Sequence, residues 1–393
     1  MYRPATPETW ASPWRRYADL RDHDPVHHMP RADGRDYYVL SRHADVLAAA
    51  VDTATYSSAQ GLTVEYDELE TIGLADHRPL VMLDPPEHTA FRRLVARGFT
   101  PRQVATLEPM VRAFVVERLE RLRAEGGGDV VDVLFKPLPT MVVAHYLGVP
   151  EDGRERFDAW THAIVSASSA GEVLGAAEAI GELMSYFTEL IDRRRVEPGD
   201  DTVSHLVAAG VGDDTAGLLS ILAYVFTVVT GGNDTTTGML GGTVQLLETA
   251  RDQRRLLLDD PGLIPDAVEE LLRLTSPVQA LARTTTRDVE LHDTAVPAGR
   301  RVLLLYGAAN RDPRRYGPDA DELDVRRRPT QILTFSQGSH HCLGAAAARL
   351  QARVAIEELL ARCPDFAVDL DGVEWAPGPY VRRPTRVPFR VAA

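Results

Sequence analysis

The chain has 393 residues, of which 44% are apolar and 25% charged, a balance that excludes a mostly disordered polypeptide and leaves ample material for a buried core. A formal charge of −14 argues against nucleic acid as a general partner, because gripping a phosphate backbone takes a basic surface. Two cysteines, Cys342 and Cys363, lie outside any C-x-x-C arrangement, which argues against a disulfide framework or a closed zinc site and fits a reducing compartment.

The N-terminal stretch MYRPATPETWASPWRRYADL has no apolar run of the length a signal peptide or membrane anchor needs, so a cytoplasmic protein without an anchor is expected. Residues 37–41 (YYVLS) read as a strand and 44–52 (ADVLAAAVD) as a helix. Periodicity fails from Ser57 to Leu83, and a loop this long in a compact protein is a candidate substrate-contact segment. A helix over 88–99 follows, set off by Asp84-Pro85-Pro86 and Thr100-Pro101, and then a longer one over 104–128 that ends on three glycines. Further helices are expected over 138–147, 151–169 and 172–195.

The stretch from Asp213 to about Ala250 reads as one long apolar helix capped by Asp-Asp-Thr, long enough to cross a whole domain yet too polar for a membrane span. It contains Gly231-Gly232-Asn233-Asp234-Thr235-Thr236, and each interior glycine costs a helix about 1 kcal/mol relative to alanine, so something must offset the cost. Residues 265–277 (PDAVEELLRLTSP) form another helix, opened by Pro265 and closed before Ser276-Pro277, with strand-like pieces at 284–291 and 300–305. A Pro/Arg/Asp-rich stretch then leads into LTFSQGSHHCLG and a final Ala-rich helix over 343–362.

Cys342 stands at the N-terminal edge of that helix, where unpaired N–H groups and the helix dipole favour negative charge and are expected to lower the thiol's pKa. On the residues alone three readings are open: an inert buried cysteine, a nucleophile helped by His340 or His341, or a metal or haem ligand. Glu270 and Arg273, three apart, share a helix face and can form an ion pair, and His88 and Arg92, four apart, share another.

Phe335, Gly338, His340, Cys342 and Gly344 reproduce the pattern F-x-x-G-x-H-x-C-x-G, and on this motif the chain resembles the cytochromes P-450. The resemblance extends along nearly the whole chain, and GLTVEYDELETIGL, GFTPRQV and TGGNDTTTGMLGG look most like a group of actinobacterial members without an agreed substrate. It implies a mainly α, multihelical fold with small β-sheets, one catalytic domain over 1–393, and haem b held between the long distal helix and the cysteine-loop helix. Cys342 would then be the proximal thiolate, pushing electron density onto iron. The resemblance further implies that His88, Arg92, Arg283 and His340 bind the haem propionates, and that Glu270, Arg273 and Arg327 form a network holding the cysteine loop. At Gly231 a small residue would open a groove on the distal helix for dioxygen, with Thr235 hydrogen-bonding there and Asp234 relaying protons. That acid-alcohol pair favours monooxygenation over the isomerisations and dehydrations some haem-thiolate proteins perform. The implied reaction is hydroxylation of an apolar small organic substrate with O2. Pocket walls are expected from 57–83, the 151–195 helices, the distal helix around Val228 and Gly231, and the Val278–Leu281 turn. No flavin or iron–sulfur signature is present, so electrons are expected from a ferredoxin and its reductase, with Arg93, Arg97, Arg349 and Arg353 as a basic docking patch.

Overall fold

A computed structural model of the chain describes residues 7–71, 75–170 and 173–391. Residues 72–74 of the irregular 57–83 stretch and the expected start of the 172–195 helix lie outside the described residues. The fold is mainly helical with small sheets, as the resemblance implies.

The long apolar stretch forms a single helix, Thr215–Thr249, started by Asp214, whose side chain accepts from the Gly217 N–H at 2.7 Å. Its most apolar window has a mean hydropathy of 1.6, enough by length and composition to cross a membrane, so polarity does not rule out a span as the sequence reading held. Its surroundings identify it as a core helix. It packs on helices Pro137–Tyr146, Arg154–Ala170, Ile264–Thr275 and Ala345–Arg362, and from Asn233 to Val244 every residue but Thr235 is buried. The helix Ile264–Thr275 carries Pro265 in its first turn and stops at Ser276, which turns left-handed (φ 37°) just before Pro277.

Three expectations change in detail. The helix expected over 104–128 is two, Pro101–Ala105 and Glu108–Ala124, and its terminal glycines form a strand, Gly127–Asp129, paired with Pro388–Arg390. A Cβ on Gly127 would stand 2.3 Å from the Phe389 carbonyl oxygen, so only glycine lets the two backbones meet. The strand expected over 284–291 is split between Leu281–Thr285 and a hairpin, Val289–Leu291 with Thr294–Val296, which turns through His292 and Asp293 at positive φ. The irregular 57–83 stretch contains a short helix, Glu68–Thr71, and a turn of 3-10 helix, Leu80–Met82.

The main sheet has the order Val26–Met29, Tyr37–Leu40, Arg301–Leu304, Leu281–Thr285, Tyr56–Ser57, with one parallel pairing between Tyr37–Leu40 and Arg301–Leu304. It brings Arg283 opposite Val302, where it is buried.

Candidate functional site

The cysteine loop is a self-bonded unit. The Cys342 N–H donates to the Phe335 carbonyl at 2.8 Å, and Gly338 adopts φ 70° at the start of a 3-10 turn through His340. A Cβ on Gly338 would lie 3.0 Å from Val51 Cα and 3.2 Å from the Ala50 oxygen, so both conformation and space require glycine there. Gly344 caps the final helix, and its N–H is directed at the Cys342 sulfur.

Cys342 keeps accessible surface although protein encloses it closely enough to govern its solvation. That burial raises its thiol, against the opposing pull of the Gly344 N–H, Arg92 and Arg349. The expected lowering by the helix terminus is therefore outweighed, because desolvation of a thiolate exceeds what one N–H and two partly screened arginines return. A thiol so placed ionises when it meets a metal cation, whose charge overrides burial. Among the described residues no three His, Cys, Asp or Glu side chains gather as a metal site, so a metal here would bring most of its ligands with it, as porphyrin iron does.

Four basic groups meet beside the loop. His88 and Arg92 come from the helix Glu87–Val95, Arg283 from the sheet and His340 from the loop, and the rings of His88 and His340 lie 4.2 Å apart. The Arg92 guanidinium donates to the His341 carbonyl, and the Arg283 guanidinium to the Ala282 carbonyl at 2.8 Å. Burial, then Arg283, His88 and Arg92, hold His340 down at about 3, while burial and Arg92 lower His88. Among the described residues none of the four forms an ion pair with a carboxylate, and the buried His88 Nδ1 has no hydrogen-bond partner. Two guanidinium cations, Arg92 and Arg283, with two imidazoles beside them in a low-dielectric setting are stabilised by anions among them. The two propionate carboxylates of haem fit that requirement.

On the central helix the glycines serve different ends. A Cβ on Gly231 would meet nothing within 4 Å, so the helix face is open there, whereas the four glycines from Gly232 to Gly242 are close approaches. A Cβ would stand 2.8 Å from Val143 at Gly232, 2.7 Å from the Arg382 oxygen at Gly238, 2.4 Å from Pro384 at Gly241 and 2.8 Å from Thr275 at Gly242. The last three let the C-terminal segment Arg382–Pro384 and the Thr275 helix lie directly on the central helix. Thr235 Oγ donates to the Gly231 carbonyl at 2.8 Å, beside the open face. Leu343, next to Cys342, packs into the same apolar cluster as Val228 and Val229.

Asp234 pairs with Arg383, whose Nε is 2.7 Å from its Oδ1. Arg383 is a site residue that sequence reasoning missed. Its neighbour Arg382 fixes the segment, donating to the Trp10 carbonyl at 2.6 Å with its guanidinium 4.0 Å from the Trp375 ring centre.

Glu270 and Arg273 are both 0% exposed and share two 2.7 Å hydrogen bonds, and Arg327 Nε reaches Glu270 at 3.0 Å. Arg273 also donates to the Asn310 carbonyl at 2.7 Å, and the Asn310 side chain binds Leu333 N–H and the Thr334 hydroxyl, immediately before Phe335. The network thus runs without a break from Glu270 to the cysteine loop, with Asn310 as a link the sequence did not reveal.

The expected basic patch is reduced. Arg349 pairs with Glu269, and Arg353 with Glu108 and Glu357, so both are neutralised by helix neighbours. Arg93 and Arg97 remain exposed, with no ion pair among the described residues.

A sequence model of the family Cytochrome P450 matches residues 260–372, the part that holds the Glu270 network and the cysteine loop. Cytochrome P450 130 of Mycobacterium tuberculosis is 69% identical over 394 residues, covering 99% of this chain and 97% of the relative. Vitamin D(3) 25-hydroxylase of Pseudonocardia autotrophica is 37% identical, covering 96% and 94%. The solved structure of cytochrome P450 CYP109Q5 from Chondromyces apiculatus superposes with a TM-score of 0.85 at 33% identity, covering 98% of this chain and 97% of that one. With the loop, the cationic cluster and these likenesses together, the chain belongs to the cytochrome P450 family of haem-thiolate monooxygenases, which bind haem b.

Proposed function

We propose that this enzyme, acting in the cytoplasm as one catalytic domain, hydroxylates an apolar small organic substrate with electrons from a ferredoxin and its reductase. Cys342 would hold the haem iron, and His88, Arg92, Arg283 and His340 its propionates. The observation that carries the assignment is the convergence of four basic groups, His88 and Arg283 buried and Arg92 and His340 partly so, none paired with a carboxylate among the described residues, beside the loop of a single accessible cysteine. Haem bound there supplies reductive activation of dioxygen and transfer of one oxygen atom to the substrate.

The chain's own residues orient and protonate. Phe335 and Gly338 shape the loop, and Gly344 N–H steadies the sulfur. Thr235 holds a proton at Oγ beside the open face at Gly231, and Asp234, next to it in the chain and paired with Arg383, brings protons to it. The 57–83 stretch and the Val278–Leu281 turn would add pocket walls. An apolar substrate is supported by relatives named for vitamin D(3) and for mycinamicin IV, and by the complex of a Mycobacterium marinum relative with pseudoionone. A ferredoxin would dock on the side where Arg93 and Arg97 are exposed, since acidic partners seek unpaired cations.

The test is the visible spectrum of the dithionite-reduced, carbon monoxide-saturated protein beside Cys342→Ala. A red-shifted Soret band lost in the variant supports the ligand assignment. An unchanged band in the variant removes Cys342 from the iron.

A further inference from the structure

Arg301 opens the strand Arg301–Leu304 with 0% of its surface exposed, and it forms no ion pair with a carboxylate among the described residues. Burying a cation without an anion beside it is costly unless its donors are satisfied. Here the acceptors come almost wholly from one loop. Arg301 Nη2 donates to the Gln60 carbonyl and, at 2.8 Å, to the Glu65 carbonyl, while Nη1 donates to the Gly61 carbonyl at 3.3 Å and to the Thr284 hydroxyl at 3.0 Å. The Tyr66 ring centre lies 5.6 Å from the guanidinium carbon. Three carbonyls of an irregular segment thus converge on one planar fork, an arrangement the point charge of a lysine does not match.

The N–H groups of the same segment are gathered by other side chains. Leu62 and Thr63 N–H both donate to Glu68 Oε2 at 2.8 Å, joined by the Thr63 hydroxyl at 2.7 Å, and Val64 N–H donates to the Tyr380 hydroxyl at 3.0 Å. Gly61 has φ 111°, and a Cβ there would stand 2.3 Å from Glu68 Oε2, so only glycine lets the chain turn closely enough for one carboxylate to reach both N–H groups. From Gln60 to Glu65 the backbone therefore has a buried cation on its carbonyls and a carboxylate on its N–H groups. Such a segment does not open without leaving Arg301 buried and unsatisfied.

The held segment borders the cationic cluster at two points. Ser58 Oγ lies 3.2 Å from His340 Nε2, and the Leu62 carbonyl accepts from Ala282 N–H at 2.7 Å, next in the chain to Arg283. At its base Ser58 N–H donates to Asp84 Oδ1 at 2.9 Å, which ties the start of the 57–83 stretch to the residue that follows it.

We infer that Arg301 and Glu68 are specificity-determining positioning residues, which hold residues 58–65 as a preformed wall of the substrate pocket and so make the site select its ligand by shape. The inference rests on the proposed role of the 57–83 stretch as a pocket wall. Neither side chain touches the substrate; each acts through the backbone it holds. A wall ordered before binding adds no ordering cost when a ligand that fits it arrives.

The test compares two probes on the holoenzyme, imidazole and 1-phenylimidazole. Both coordinate iron through an imidazole nitrogen, but only the second needs a fitted wall beyond the iron. Dissociation constants are read from the Soret difference spectrum for wild type, Arg301→Gln, Glu68→Ala and Leu62→Trp, with amide hydrogen exchange over 58–66 measured alongside. If loosening leaves the fitting arrangement populated about one-tenth of the time, 1-phenylimidazole binds about tenfold more weakly in Arg301→Gln while imidazole changes less than about twofold, and exchange over 58–66 quickens. Glu68→Ala leaves the buried sheet intact, so it carries the same prediction even where Arg301→Gln does not fold. A wild-type ratio of the two constants in Glu68→Ala, or in a folded Arg301→Gln, overturns the inference, even where Tm falls, because a merely stabilising residue would weaken both probes alike or neither. Leu62→Trp tests the wall itself. If it leaves both constants unchanged, the pocket role of the 57–83 stretch falls and the inference with it. If it shifts 1-phenylimidazole alone while the Arg301 and Glu68 variants do not, only the inference falls.

Discussion

Placing alanine at two glycines of the same helix should change stability in opposite directions. At Gly231 a Cβ meets nothing within 4 Å, so Gly231→Ala should give the usual helix gain of about 0.5–1 kcal/mol. At Gly238 the same atom would stand 2.7 Å from the Arg382 carbonyl oxygen and 3.2 Å from Pro277 Cβ, and neither is the tip of a flexible side chain. The strand segment or the helix must yield by several tenths of an ångström, which in a packed core costs about 1–3 kcal/mol and leaves a net loss of about 1–2 kcal/mol after the helix gain. With an unfolding entropy of about 2.1 cal/mol/K per residue over 393 residues, 1 kcal/mol corresponds to about 1.2 °C. Differential scanning calorimetry of the haem-loaded proteins should therefore show Gly231→Ala about 1 °C above wild type and Gly238→Ala about 1–3 °C below it. Gly238→Ala should also loosen the segment carrying Arg383 against Asp234, which a shift in the Asp234 carboxyl infrared band would report. Equal rises in Tm for both variants would refute the claim that Gly238 is there for close approach.

Glu270→Ala leaves Arg273 a buried, unpaired cation and should cost about 3–5 kcal/mol, read as poor haem retention and a sharply lower Tm, while exposed Asp266→Ala changes little. Cys363 is buried and its thiol is pushed up to about 11, so its folded form is favoured below the ordinary thiol value and that stability is lost as pH rises from about 9 through 11; alkylation at pH 8.5 should label Cys363 only after unfolding. Arg93→Glu with Arg97→Glu should slow reduction of this protein by ferredoxin and flatten its salt dependence, whereas Arg353→Gln, which breaks pairs with Glu108 and Glu357, should leave both nearly unchanged and lower Tm slightly; stopped-flow rates at two ionic strengths separate these outcomes.

Much of the site is legible in the sequence because its parts are local. The ten residues from Phe335 to Gly344 close on their own hydrogen bond, and Glu270 with Arg273 needs only helical spacing to pair. The central helix is equally plain, with an aspartate cap and a long apolar pattern. What spacing misses is the reason for a residue. Six glycines in one helix look alike, yet Gly231 leaves a face open, Gly217 meets its own N-terminal turn, and four admit neighbours from remote parts of the chain.

The sequence by itself determined the helical architecture and the cysteine loop, because these depend on short-range pattern and on residue chemistry, and its resemblance to a family pointed to the basic groups near that loop. Only the tertiary structure decided which charges meet. It set Arg383 on Asp234, paired Arg349 and Arg353 with glutamates, and let burial outweigh the helix terminus at Cys342. Ion pairing and desolvation depend on distances of a few ångströms between segments hundreds of residues apart, and those distances are set by how the helices and the C-terminal segment pack.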